Sequence, residues 1–255
     1  MRFARARVQA AIACLSSLLV AACATMPRDA SLPISDPHEA TNREVLATNQ
    51  RMLEPLAEVV KTAIPGPVHD RLHDLNSNLK EPRIFANDVL QLRLDAAART
   101  AGRFALNTTV GFGGLFDVAG RQGIAQQSGD FGQTLFVWGA SEGPYVVLPY
   151  MGPGTTRDAF GSIVDVVGDP LGWLIGTQIA STATRVAVSA GTTSIDAADR
   201  LGQLKQAEDA SIDFYSFIRS GYYQARRAEL REALGLPRET QSPATSGLDD
   251  PGGDK

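Results

Sequence analysis

Apolar residues recur at helical spacing along most of the chain. Val45, Leu46, Leu53, Leu56, Val59 and Val60 form a stripe that predicts a helix from about His38 to Ala63, bent at Pro55 and ended by Pro65-Gly66-Pro67. Val68, Leu72, Leu75 and Leu79 line a second helix. Pro82, at a first-turn position, opens a third with Ile84, Phe85, Val89 and Leu90 apolar. Asp95 caps an alanine-rich helix to about Leu106, and Thr155 with Asp158 caps one of Phe160, Ile163, Val164 and Val167 that Gly168-Asp169-Pro170 closes. Helices from about Ile179 to Leu204 and from about Asp209 to Leu234 complete the series. The last is the most regular: Ile212, Tyr215, Ile218, Tyr222, Leu230 and Leu234 recur on one face, and Arg219, Arg226, Arg227 and Arg231 form a solvated basic one. Only Pro144 to Pro149 reads as extended. The expected fold class is mostly α, about six or seven helices with a Gly-rich hairpin and little or no sheet.

The centre of the chain breaks this pattern. Arg103 to Asp158 holds 11 of the 24 glycines, many beside aromatic or β-branched residues, which implies tight bends and close backbone packing. Charge thins out as well, with ten charged residues from Arg103 to Ile195 separated by uncharged runs of up to 15. A bilayer-spanning helix needs about 20 apolar residues, so none of these runs crosses a membrane alone. They fit either a buried core or short elements lying within one lipid leaflet.

The N-terminus bears on that choice. Arg2, Arg5 and Arg7 precede an apolar stretch from Val8 to Val20, and Val20-Ala21-Ala22-Cys23 closes it. The order resembles the lipobox of bacterial lipoproteins, in which a small residue admits the signal peptidase and the thiol takes a diacylglycerol. Residues 1–22 are therefore expected to be a signal peptide and Cys23 the lipidation site. Ala24 in place of Asp implies export to the outer membrane in bacteria of the enteric type. Residues 23–37, with three prolines, read as a flexible tether, 38–235 as one helical domain and 236–255 as a disordered tail. Loss of the signal leaves one thiol and no internal disulfide. It also takes the net charge from −4 to −7 by removing three arginines, which argues against nucleic acid and against a polybasic grip on lipid.

Three patterns look like chemistry. His69-Asp70-Arg71-Leu72-His73 puts two imidazoles on one helix face, but it has Asp where zinc peptidases place Glu and no third ligand at a zincin spacing, so surface histidines are expected rather than a metal site. Gly139-Ala140-Ser141-Glu142-Gly143 has the letters of a nucleophile elbow. No histidine follows His73 and Pro144 comes directly after, so a glycine-flanked hairpin tip is the better account. Gly111-Phe112-Gly113-Gly114 lacks the spacing of a nucleotide-binding loop. No cofactor is expected, and no enzyme activity.

Longer blocks carry a resemblance. Asp36-Pro37, Glu39 and Asn42-Arg43; Asn78-Leu79 and Glu81-Pro82; Arg103 through Thr109; Gly111 through Ala119; and Asp130-Phe131-Gly132-Gln133-Thr134-Leu135 running through Trp138-Gly139 and Gly143-Pro144-Tyr145 to Leu148-Pro149 and Arg157-Asp158 are similar to the MlaA/VacJ family of outer-membrane phospholipid-trafficking lipoproteins. The likeness covers roughly Asp36 to Trp173 and returns, more loosely, from Tyr215 to Arg227. The family usually has Gly where Leu92 stands, and Gly and an aromatic at Ala40 and Thr41.

The resemblance implies a ring of helices in the inner leaflet of the outer membrane, associated with trimeric porins. Its amphipathic channel would take misplaced phospholipid from the outer leaflet and pass it to a soluble periplasmic carrier. Physical chemistry supplies the need: drawing some 32 apolar carbons through water costs on the order of 25 kcal/mol at ~0.8 per methylene. On this reading Trp138 to Tyr145 forms a hairpin at the channel mouth, flexing at Gly139 and Gly143 and anchored by Pro144 and Tyr145. Phe112 with Gly113, Phe116 and Phe131 face channel or membrane. The competing class is a tethered structural scaffold for a porin that touches no lipid.

Overall fold

The computed structural model describes residues 34–168, 204–205 and 207–236. The expected signal peptide, Cys23, most of the tether, the helix predicted over 179–204 apart from Leu204 and the tail beyond Leu236 lie outside the described residues. Within them the protein is helical apart from one small sheet. The elements are α1 (Glu39–Ala63), α2 (Gly66–Leu90), α3 (Leu94–Thr109), α4 (Val118–Arg121), α5 (Phe131–Val137), β1 (Tyr145–Leu148), β2 (Gly152–Thr155), α6 (Thr156–Gly168) and α7 (Phe214–Ala233).

α1 keeps Pro55 inside it, as its stripe predicted. α2 corrects the reading: the two helices expected on either side of Pro82 are one, with Pro82 in its interior. Proline removes one backbone donor, but tertiary bonds beside it hold the axis together. Glu81 pairs with Arg103 of α3 at 2.8 Å, and Asn78 donates to Thr108 at 3.1 Å. Three residues then turn the chain so that α3 packs back along α2. Leu92 in that turn has φ +59 and Gln91 is buried, with its amide donating to Thr134 of α5.

β1 and β2 pair antiparallel, Tyr145 opposite Thr155 and Leu148 opposite Gly152. The free edge of β1 is finished by two asparagines of α1 rather than by a third strand. Asn42 donates to the Tyr145 carbonyl at 3.1 Å and accepts from Val147 N–H at 2.9 Å. Two turns on, Asn49 donates to the Leu148 carbonyl and accepts from Tyr150 N–H, both at 2.9 Å. Each primary amide presents the donor and acceptor that a strand backbone would.

α7 starts later than predicted. Asp213 is extended, caps Ser216 and holds Arg43 of α1, so the helix opens at Phe214 and Ile212 stands fully exposed outside it. Its basic face is not solvated either. Arg219 reaches Asp36 at 2.6 Å, and Arg226, buried, bridges Asp130 and Asp158 at 2.6 and 2.8 Å. Asp36, assigned to the tether, is thereby fixed, and Ser35 accepts from Tyr145 N–H. Tyr145, Tyr215, Tyr222 and Tyr223 stack around the small apolar core, with ring centroids 5.3 to 6.1 Å apart.

Candidate functional site

The chain is turned partly inside out. Among the described residues, 17 buried side chains are polar or charged and 10 are apolar, whereas Leu92, Leu94, Val110, Phe112, Phe160, Ile163, Val166 and Val167 are all more than half exposed. Water-soluble domains bury such residues, and a monomer rarely exposes apolar patches beyond a few hundred Å². The uncharged run from Phe104 to Phe116 is thus not an ordinary core. Two apolar clusters cap the ends of the α2–α3 pair, Phe85, Val89, Leu90, Leu92 and Leu94 at the turn and Val110, Phe112, Leu115 and Phe116 at the opposite end. A third is the outward stripe of α6, Phe160, Ile163 and Val167. No described helix is long and apolar enough to cross a membrane.

The interior is a set of polar knots. In the first, Arg103 of α3, 1% exposed, pairs with Glu81 at 2.8 Å and Asp117 at 3.1 Å and donates to the Ile124 carbonyl. Asn107 joins it, donating to Asp117 and accepting from Ala119 N–H, both at 2.9 Å. Burial pushes the Glu81 carboxyl up despite Arg103; burial acts on Asp117 too, but Gly120, Asn107 and Arg103 together hold it below the usual range. In the second knot, Thr134 of α5 donates to Asn87 at 2.8 Å and Asp165 of α6 accepts from Asn87 and from Phe131 N–H. In the third, Arg226 joins Asp130 to Asp158, which also accepts from Tyr222. Burial would raise Asp158, and the Arg226 charge and hydrogen bonds outweigh it.

Glycine makes these knots compact. A Cβ at Gly161 of α6 would collide with the backbone of Gly132, so α5 and α6 touch main chain to main chain. A Cβ at Gly114, φ +97, would collide with Asn78.

The residues singled out in the sequence separate into two groups. Phe112, 80% exposed with φ +54, and Gly113, φ +72, form an outward corner with Phe116. Trp138 is exposed, packs edge-on to half-buried Phe131 at 5.8 Å and donates to the Leu90 carbonyl at 3.2 Å, joining the apolar cluster at the α2–α3 turn. Gly139 and Gly143 have φ +91 and +73, as bends there require. The hairpin, however, is not where it was expected. Trp138 to Pro144 is the connection from α5 to β1, and the hairpin is the following segment, turning at Pro149-Tyr150-Met151. The two glycines supply bends without strand pairing between them, while Asn42 and Asn49 hold the pairing further on. Tyr145 is fully buried, at the base of that connection rather than on an open wall. His69 and His73 lie a turn apart on α2, and no group of three His, Cys, Asp or Glu able to hold a metal occurs among the described residues.

The polar knots were missed, although most of their members stand in the blocks that carry the family resemblance: Glu81, Arg103, Asn107, Asp117, Asp130, Thr134 and Asp158. A charge isolated inside an apolar, glycine-rich run was the available sign.

The sequence model described as MlaA lipoprotein matches residues 34–229. The chain belongs to the MlaA lipoprotein family. The intermembrane phospholipid transport system lipoproteins MlaA of Escherichia coli and Shigella flexneri are each 32% identical over 218 residues, 82% of this chain and 84% of theirs. An uncharacterized protein of Rickettsia felis is 39% identical over 137 residues, so the chain spans about half the length (55%) of that relative. A solved chain, from work on the structural basis for maintenance of bacterial outer membrane lipid asymmetry, superposes with a TM-score of 0.63 at 29% identity, covering 77% of this MlaA-family chain and 99% of its own.

Proposed function

We propose that this MlaA-family chain is an outer-membrane lipoprotein, acylated at Cys23, that removes mislocalised phospholipid from the outer leaflet and passes it through an amphipathic channel to a soluble periplasmic carrier while seated against a trimeric porin. The observation that carries the reading is the inverted partition of side chains: apolar clusters outward, charge and amide inward. A lipid in transit needs both, since its chains must stay in hydrocarbon and its head group must find polar lining. Phe112, Phe116 and the α6 stripe meet the acyl chains of one leaflet, and the several acyl chains of a lipoprotein cysteine hold the protein there. The connection from Trp138 to Pro144, bent at Gly139 and Gly143, borders the channel mouth over Tyr145.

A photo-crosslinking residue at Phe112 or Trp138 in the native envelope is expected to capture phospholipid, and one at buried Ala119 to capture none. Capture of protein alone at all three positions supports the scaffold reading instead. A strain lacking the protein is expected to leak detergents and to regain its barrier with the wild-type chain.

A further inference from the structure

Asp70, Arg71 and His73 of the motif from His69 to His73, which no part of the transport reading uses, line a shallow depression. Asp70, Arg71, His73 and Asp74 of α2 face Asp117, Gly120 and Arg121 of the α4 turn across a volume of about 380 Å³. That lies at the lower end of small-ligand sites, ~300 to 1,000 Å³, enough for a head group and too little for a whole lipid.

The lining carries both signs. Three carboxylates and two guanidinium groups share it, and Asp70 and Arg121 are exposed with no ion pair among the described residues. Arg71 links the depression to the apolar corner beside it. Its guanidinium pairs with Asp74 at 2.9 Å, lies 4.7 Å over the Phe116 ring and donates to the Leu115 carbonyl at 3.1 Å. Val110, Phe112, Leu115 and Phe116 form that corner, all exposed. A polar, two-signed seat directly against an apolar ledge has the same division as a phospholipid with a zwitterionic head.

We propose that this depression is a head-group site for a phospholipid ending in a primary ammonium. Arg121 and the free donors of Arg71 take the phosphate, Asp70 and Asp74 take the ammonium, and the acyl chains lie over Phe112 and Phe116. A primary ammonium brings three N–H donors to the carboxylates, a quaternary one brings none, and an anionic glycerol head brings no cation to Asp70 and Asp74. The inference rests on the reading that the apolar corner meets lipid, and deepens it by naming the class of lipid retained.

Native mass spectrometry of the full acylated chain in detergent, equilibrated with equal amounts of phosphatidylethanolamine, phosphatidylglycerol and phosphatidylcholine, tests it. The expected result is retention of phosphatidylethanolamine about tenfold over the other two, the ratio that follows from one lost charge-assisted bond of about 1.5 kcal/mol. The pair Asp70→Asn and Arg121→Gln, both on the surface, should abolish the preference with an unchanged melting temperature. Lipid bound without preference, or a preference that survives the pair, overturns the site and leaves the transport reading standing. Failure to retain any phospholipid overturns both.

Discussion

Leu92 holds a backbone conformation that suits glycine, φ +59, with its side chain 82% exposed. A left-handed leucine costs about 1 to 2 kcal/mol, while glycine gives back about 0.5 to 1 through its freer unfolded chain. Leu92→Gly is therefore expected to raise stability by about 0.5 kcal/mol, read as a higher melting temperature in detergent. Arg226 is the opposite case. Replacing it by Met leaves Asp130 and Asp158 facing each other across the α5–α6 contact. Breaking a buried pair costs about 3 to 5 kcal/mol; Asp130 is partly hydrated, so about 3 is expected by chemical denaturation. Neither effect could be read from hydropathy. Arg226 sits at a helical position that looks solvated, because periodicity reports which residues are apolar and is silent on which charges find partners.

The sheet is small enough that its pairing depends on α1. Asn49→Ala strands one carbonyl and one N–H of the hairpin turn and should cost about 2 to 3 kcal/mol, with faster hydrogen exchange at Tyr150 and none at Ala97. Gly161→Ala forces α6 off α5 and is expected to cost about 2 kcal/mol or more in the same assay. The longer helices were legible, and the short α4 and α5 inside the glycine-rich stretch were not. The stripe of α1, the cap of α6 at Thr155 and the extended reading of Pro144 to Pro149 all have counterparts, because local spacing and capping decide them. Pro82, the start of α7 and the place of the hairpin were not. Each is settled by a partner far along the chain: Arg103 for Glu81, Arg43 for Asp213, and Asn42 and Asn49 for β1.

Charge organises the whole molecule by region. Burial lifts the Asp36 carboxyl, but Tyr215, Arg219 and Asn42 hold it below the usual range, and Asp158 is lowered on balance by Arg226, so both stabilise the fold above about pH 4. That contribution is lost as pH falls through and below this range. Glu81, Asp88 and Asp165 are shifted the other way by burial, so their contribution is present at low pH and declines as pH rises. Acidification should therefore release α7 while the α2–α3 pair persists. The near-ultraviolet circular dichroism of the tyrosine cluster is expected to fade below about pH 4 before the far-ultraviolet helical signal does. Simultaneous loss of both signals would mean that the two regions unfold as one.

The junction of Asp36 with Tyr215, Arg219 and Asn42 also has a mechanical meaning. Any pull arriving from an acylated N-terminus meets this clasp before it reaches the first turn of α1. The load then spreads into the strand edge through Ser35 and Tyr145 and into the C-terminal helix, so a tug from the bilayer strains the body across its width instead of unzipping it from one end.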